Sequence, residues 1–127
     1  MSIRPGASVR NRVRVLIVDD HPLVREGLTA RISAQRDLEI CGQASDIDQA
    51  LSLAGTTQPA IMIVDLALKS GSGLDLIKKV RAGAASPRIL VVSAHAEALF
   101  AERSLRAGAQ GYLNKQEAPE AIIEAIR

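Results

Sequence analysis

The sequence predicts an α/β domain built on an open, doubly wound parallel sheet. Three observations lead there. Short, nearly continuous runs of aliphatic and β-branched residues recur along the chain, as expected of strands buried on both faces. Amphipathic stretches of helical period separate these runs. The connections between the two kinds of segment are only a few residues long. Such connections force parallel strands, right-handed crossovers and helices on both faces of the sheet.

Val13–Val18 (VRVLIV) reads as the first strand. Asp19, Asp20 and His21 follow it, and Pro22 suits the first turn of a helix, where no N–H is needed. Leu23, Val24, Leu28 and Ile32 give that helix an apolar stripe through about Ala34. Leu38–Ala44 is the second strand, with Cys41 as a small buried core residue within it. Asp46 and Gln49 form a capping box, and Ala50, Leu51 and Ala54 carry the helix on to Gly55. Ala60–Val64 (AIMIV) is the third strand and ends at Asp65. Beyond Lys69-Ser70-Gly71-Ser72, a second capping box, Ser72 with Asp75, opens a helix whose stripe is Leu74, Ile77 and Val80. Arg88–Val92 (RILVV) is the fourth strand, ending at Ser93. A helix over about Ala96–Ala107 stops at Gly108, a natural C-terminal residue. Gly111–Leu113 is a short fifth strand that runs into Asn114 and Lys115, and Pro119 opens a last helix. Five strands thus alternate with five helices, without an internal repeat or a second domain.

Composition narrows the function classes. The 127 residues make one domain, long enough to hold a core without disulfides. The single cysteine allows no intramolecular bridge. Phe100 and Tyr112 are the only aromatics, so the core is aliphatic and a base-stacking nucleic-acid platform is not expected. The net charge of +2 divides unevenly. The first fourteen residues carry Arg4, Arg10, Arg12 and Arg14 and no acid, whereas the rest holds twelve bases and fourteen acids. Residues 1–12 are expected to form a disordered basic leader, a solvated tail rather than a nucleic-acid arm, with the domain over 13–127. The leader has no apolar stretch and is not a secretory signal. No apolar run approaches the length of a membrane span, and cysteine usage points to the cytoplasm.

In sheets of this kind the ligand crevice lies beyond the carboxyl ends of the strands. Asp19 and Asp20 end the first strand, Asp65 the third, Ser93 the fourth and Lys115 the fifth. Each has an ordinary explanation alone. Asp19 could cap a helix, Ser93 end a strand, Lys115 sit in solvent, and His21 and His95 flank the rim without being ligands. Their convergence on one rim calls for more. Three carboxylates packed together need a compensating cation. Hard oxygens favour Mg²⁺ or Ca²⁺, and a site with few carboxylates suits Mg²⁺ better. Lys115 could pair with a carboxylate or hold a phosphate. A central Asp can accept a phosphoryl group as an acyl-phosphate, while Ser93 donates a hydrogen bond to a phosphoryl oxygen.

The segments VLIVDDHPLVREGL at 15–28, IMIVDLALKSGSGLDLI at 61–77, ILVVSAH at 89–95 and RAGAQGYLNK at 106–115 resemble a response-regulator receiver domain of two-component signalling. DDHPLVREGL and the GYL-x-K ending are similar to the branch that precedes LuxR-type helix-turn-helix output domains. The resemblance implies a flavodoxin-like strand order, 2-1-3-4-5. It implies Asp65 as phosphoacceptor, with Asp20, Asp19, Asp65 and the backbone carbonyl of Ala67 as the protein's Mg²⁺ ligands. Ser93 would move toward the phosphoryl group, Lys115 would pair with its oxygen, and Tyr112 would be the aromatic switch. A sensor histidine kinase is the implied donor. The implied output is a C-terminal DNA-binding domain or a homodimer, with no nucleic-acid contact from the receiver itself and no membrane. Such a domain is no enzyme beyond its own phosphorylation and autodephosphorylation.

Two departures from the family pattern are Lys69, where a proline is usual, and Gln116, where many receivers have a cis proline. The last helix is also shorter than the family's. A stand-alone phosphorelay receiver is the alternative within the same fold. An Asp-nucleophile phosphohydrolase would want its nucleophile on the first strand, with a general acid where His21 stands. A flavin carrier would want a hydroxyl- and glycine-rich loop in place of DDHP.

Overall fold

Along β1 (Val13–Val18), Val15 and Ile17 enter one apolar cluster while Leu16 and Val18 enter another. Ile61 and Ile63 against Met62 and Val64 repeat the pattern on β3 (Ile61–Val64), as do Leu90 and Val92 against Ile89 and Val91 on β6 (Arg88–Ser93). Side chains of a strand alternate between faces, so both faces of the sheet are core. Each fully buried aliphatic side chain contributes about 1.5–3 kcal/mol. That is why these strands are apolar without interruption.

The computed structural model describes residues 12–68, 71–83, 87–94, 98–116 and 119–127. The other elements are α1 (Pro22–Ser33), β2 (Leu38–Ala44), α2 (Ile47–Thr57), β4 (Ala67–Leu68), β5 (Gly71–Ser72), α3 (Gly73–Ala82), α4 (Ala98–Ala107), β7 (Gly111–Asn114) and α5 (Pro119–Ile126). The main sheet has the order β2-β1-β3-β6-β7, every pair parallel. Within that sheet this is 2-1-3-4-5, as the resemblance implied. Leu28 and Ile32 of α1 and Ile122, Ile123 and Ile126 of α5 cover one face. Ala50 and Ala54 of α2 and Leu76, Ile77 and Val80 of α3 cover the other, with Phe100 and Ala107 of α4 packed against them. No described helix is long and apolar enough to cross a membrane.

Several local expectations need correction. β4 and β5 form an antiparallel ribbon between β3 and α3, so the alternation of strand and helix is not strict. The second helix passes Gly55 and ends at Thr57, where Gln58 takes the left-handed conformation, φ 48°. Gly55 has open space around it and ends nothing. Leu23 is 82% exposed; Val24, one turn before Leu28 and two before Ile32, takes its place on the buried face. Cys41 is only partly buried, and its thiol donates to Thr57 Oγ1 at 3.5 Å. Asp46 does cap α2 through Gln49 N–H at 2.8 Å, but Gln49 Oε1 answers Ser45 N–H rather than that of Asp46. Ser72 caps α3 by accepting from Leu74 N–H at 3.1 Å. Residues 1–11 of the expected leader lie outside the described residues, as do Lys69, His95 and Ala96.

The turn from α4 into β7 rests on Gly108, whose φ of 121° suits only glycine. A Cβ there would also stand 2.7 Å from the Arg81 side chain. Arg81 donates to the carbonyls of Gly108 and Pro87 and to Gln110 Oε1, which also accepts Ile89 N–H. One guanidinium thus fastens α3, the entry of β6 and the start of β7.

Candidate functional site

Three backbone hydrogen bonds carry the parallel ladders one residue past the strands. Asp19 N–H donates to Ala44 O at 3.0 Å, Asp65 N–H to Val18 O at 2.9 Å, and Lys115 N–H to Ser93 O at 2.7 Å. The side chains at these positions are therefore held by the rigid sheet, and all lie at its carboxyl edge. Asp65, just past the end of the central strand, is 2% exposed and Asp19 3%.

Lys115 Nζ sits between these two acids, 2.9 Å from Asp19 Oδ2 and 3.0 Å from Asp65 Oδ2. The other Asp65 oxygen accepts Ala67 N–H at 3.2 Å. Burial pushes the Asp65 carboxyl above the usual carboxylate range, and the Asp19 charge adds to the rise, against the hydrogen bonds from Lys115 and Ala67. Burial alone would lower Lys115. Its hydrogen bonds to Asp19 and Asp65 outweigh that and raise it, so the ammonium keeps its charge.

Asp20 and His21 complete the cluster. Donor atoms of Asp19, Asp20, His21 and Asp65 all lie within 4.8 Å of one another. Three carboxylates on one ammonium leave excess negative charge in a largely buried space. An oxygen-rich donor set of that charge fits a hard divalent cation. Asp19 is not the N-cap of α1. That residue is His21, whose N–H donates to Asp19 Oδ1 at 2.8 Å. Arg25 donates to the Asp19 carbonyl at 2.7 Å and so holds the turn that presents both acids.

Of the residues singled out in the sequence, Asp19, Asp20, Asp65 and Lys115 are brought together, with Ala67 joined through its N–H. Ser93 is wholly buried and shares the edge through its carbonyl. Tyr112 lies on β7 opposite Val91, half-buried against the cluster on the α2–α3–α4 face. Gln116 N–H donates to Asn114 Oδ1 at 2.8 Å.

The sequence reading missed His21 as a member of the cluster. It also missed Gly73. A Cβ on Gly73 would press into the Asp65 carbonyl and lie 2.9 Å from Leu66 Cα, because the chain returns there and Gly73 N–H donates to Leu66 O at 2.8 Å. Glycine in the segment following a strand-end acid was the available signal.

Comparison with known families matches residues 15–127 to the response regulator receiver domain. The chain belongs to the response regulator receiver family. The receiver is 36% identical over 114 residues to the nitrate/nitrite response regulator protein NarL of Escherichia coli strain K12, covering 88% of this chain and 52% of that protein. It is 34% identical over 115 residues to the transcriptional regulatory protein LiaR of Bacillus subtilis strain 168, covering 91% of this chain and 54% of LiaR. The receiver therefore spans about half the length of these curated relatives. The signal receiver domain of the response regulator NarL from Mycobacterium tuberculosis matches it with a TM-score of 0.87 at 32% identity, over 91% of this chain and 94% of that one.

Proposed function

We propose that the receiver is a phosphorylation switch whose acceptor is Asp65. The observation that carries this reading is one buried carboxylate at the end of the central strand, held between Lys115 Nζ and Ala67 N–H beside two further acids. An Asp65 oxygen attacks the phosphorus of a phosphohistidine on a sensor histidine kinase. The P–O bond forms as the P–N bond breaks, and the histidine leaves. Lys115 balances charge on the phosphoryl oxygens, and the Ser93 hydroxyl donates to one of them.

Asp19, Asp20, Asp65 and the Ala67 carbonyl would hold Mg²⁺. That ion supplies charge neutralisation on the transferring group. The carboxylate cluster supports the assignment because one ammonium does not balance three acids.

The acyl-phosphate biases an existing equilibrium between two surfaces, with Ser93 and Tyr112 relaying the change to the face of α4, β7 and α5. The output is homodimerisation or release of an attached DNA-binding domain, and the receiver itself does not touch nucleic acid. Support comes from LiaR, a transcriptional regulatory protein, and from the length by which both LiaR and NarL extend beyond the receiver. We place the protein in the cytoplasm, with the kinase's phosphohistidine.

Incubation with Mg²⁺ and a small acyl-phosphate donor tests the reading. One phosphoryl group is expected by intact mass, and none in Asp65→Asn. Labelling of the variant at the rate of the parent protein would defeat it.

A further inference from the structure

The phosphorylation chemistry above gives His21 no role, yet the ring is turned into the carboxylate cluster. Its Nδ1 lies 2.8 Å from Asp19 Oδ1, 3.2 Å from Asp20 Oδ1 and 3.5 Å from Asp65 Oδ2. Neighbouring ligand atoms around a six-coordinate ion with bonds of about 2.1 Å stand about 3 Å apart. The imidazole nitrogen stands at about that spacing from one oxygen of Asp19 and one of Asp20, and slightly farther from one of Asp65. The backbone holds the ring there. His21 N–H is bonded to Asp19 Oδ1, its carbonyl accepts Arg25 N–H at 3.0 Å, and Pro22 follows. The side chain is 56% exposed, so burial does not force it into the cluster.

We propose that His21 is a further protein ligand of this metal site, through Nδ1, and that it shifts the site's preference toward transition-metal divalent ions. Imidazole adds little for Mg²⁺, which selects hard oxygens. It adds progressively more along the series Mn²⁺, Co²⁺, Ni²⁺. The receiver therefore discriminates against Mg²⁺ more strongly than three carboxylates and a carbonyl would. The inference rests on reading the cluster as a metal site, but not on phosphorylation of Asp65.

The test uses the full chain loaded with Mn²⁺ alone and pulsed electron paramagnetic resonance. Electron spin-echo modulation from a directly bound ¹⁴N nucleus is expected in the parent protein and absent in His21→Ala. The His21 side chain makes no capping bond to α1, so the substitution leaves the helix start intact. Competition of Ni²⁺ and of Mg²⁺ against bound Mn²⁺ gives a second readout. The preference for Ni²⁺ over Mg²⁺ should fall at least about tenfold in the variant. Bound Mn²⁺ without nitrogen modulation, or an unchanged preference, overturns the role of His21 and leaves the metal site standing. Failure of the parent protein to bind Mn²⁺ at all overturns the metal site itself, and the role of His21 with it.

Discussion

Replacing Lys115 with methionine keeps most of the aliphatic stem and removes the charge. Asp19 and Asp65, both almost wholly buried, then lose an ammonium at 2.9 and 3.0 Å. Breaking a buried pair by deleting one partner costs about 3–5 kcal/mol. The Lys115 side chain is 16% exposed, so water reaches the site and the lower end applies, about 3 kcal/mol. For a domain of this size that lowers Tm by roughly 10–15 °C.

The pH dependence carries the sign. Lys115 has a raised value in the folded state. Its contribution is therefore complete below the unfolded lysine range and is lost as pH climbs through the folded value. In the variant the uncompensated carboxylates carry the penalty, and protonation relieves it. The deficit should thus be largest near neutrality and should fade as pH falls through the carboxylate range. Urea unfolding at about pH 7 and about pH 4 measures it. A deficit under about 1 kcal/mol at neutrality, or one of equal size at the lower pH, would refute the electrostatic account of the site.

Other substitutions test other parts of the structure. Asp65→Asn should stabilise the fold by about 1 kcal/mol at neutral pH, since it relieves a buried charge while Asp19 keeps Lys115. The Asp65 value is raised mainly by burial, so ionisation disfavours the folded state as pH rises, and the gain should vanish in acid; a gain that persists there counts against this. Gly73→Ala should cost about 2–3 kcal/mol in chemical unfolding, because its Cβ meets backbone rather than a movable side chain; a near-neutral effect would contradict the close approach. Arg81→Ala should cost about 2 kcal/mol through its lost bonds to Gly108, Pro87 and Gln110, with faster amide exchange at Ile89 as the readout. Tyr112 is the only tyrosine and there is no Trp, so its fluorescence should change on phosphorylation; an unchanged signal counts against a switch role.

The parts legible in the sequence were those with a period or an end. Runs such as IMIV have no polar face, so they announced strands buried on both sides, and the residues that broke them, Asp19, Asp65 and Lys115, proved to share one edge. What escaped had no period to read. β4 and β5 are two residues each, too short for alternation to appear. Leu23 looked like part of an apolar stripe, but its five-residue spacing to Leu28 rotates it away from the core. Gly55 looked like a helix end because glycine often is one, yet α2 runs two residues further to Thr57, with Gln58 as its C-cap. The rotation of His21 into the cluster answers charges from β1 and β3 together, and no local pattern records that. The same holds for Arg81, whose partners lie up to 29 residues away.

A phosphoryl group carried by Asp65 is an acyl-phosphate, which can be trapped chemically. Borohydride reduces an acyl-phosphate of aspartate to homoserine, which peptide mass spectrometry locates by position. Treatment of the phosphorylated receiver should give homoserine at position 65 and leave Asp19 and Asp20 as aspartate. Homoserine at 19 or 20, or phosphoryl uptake with none at 65, would contradict the account.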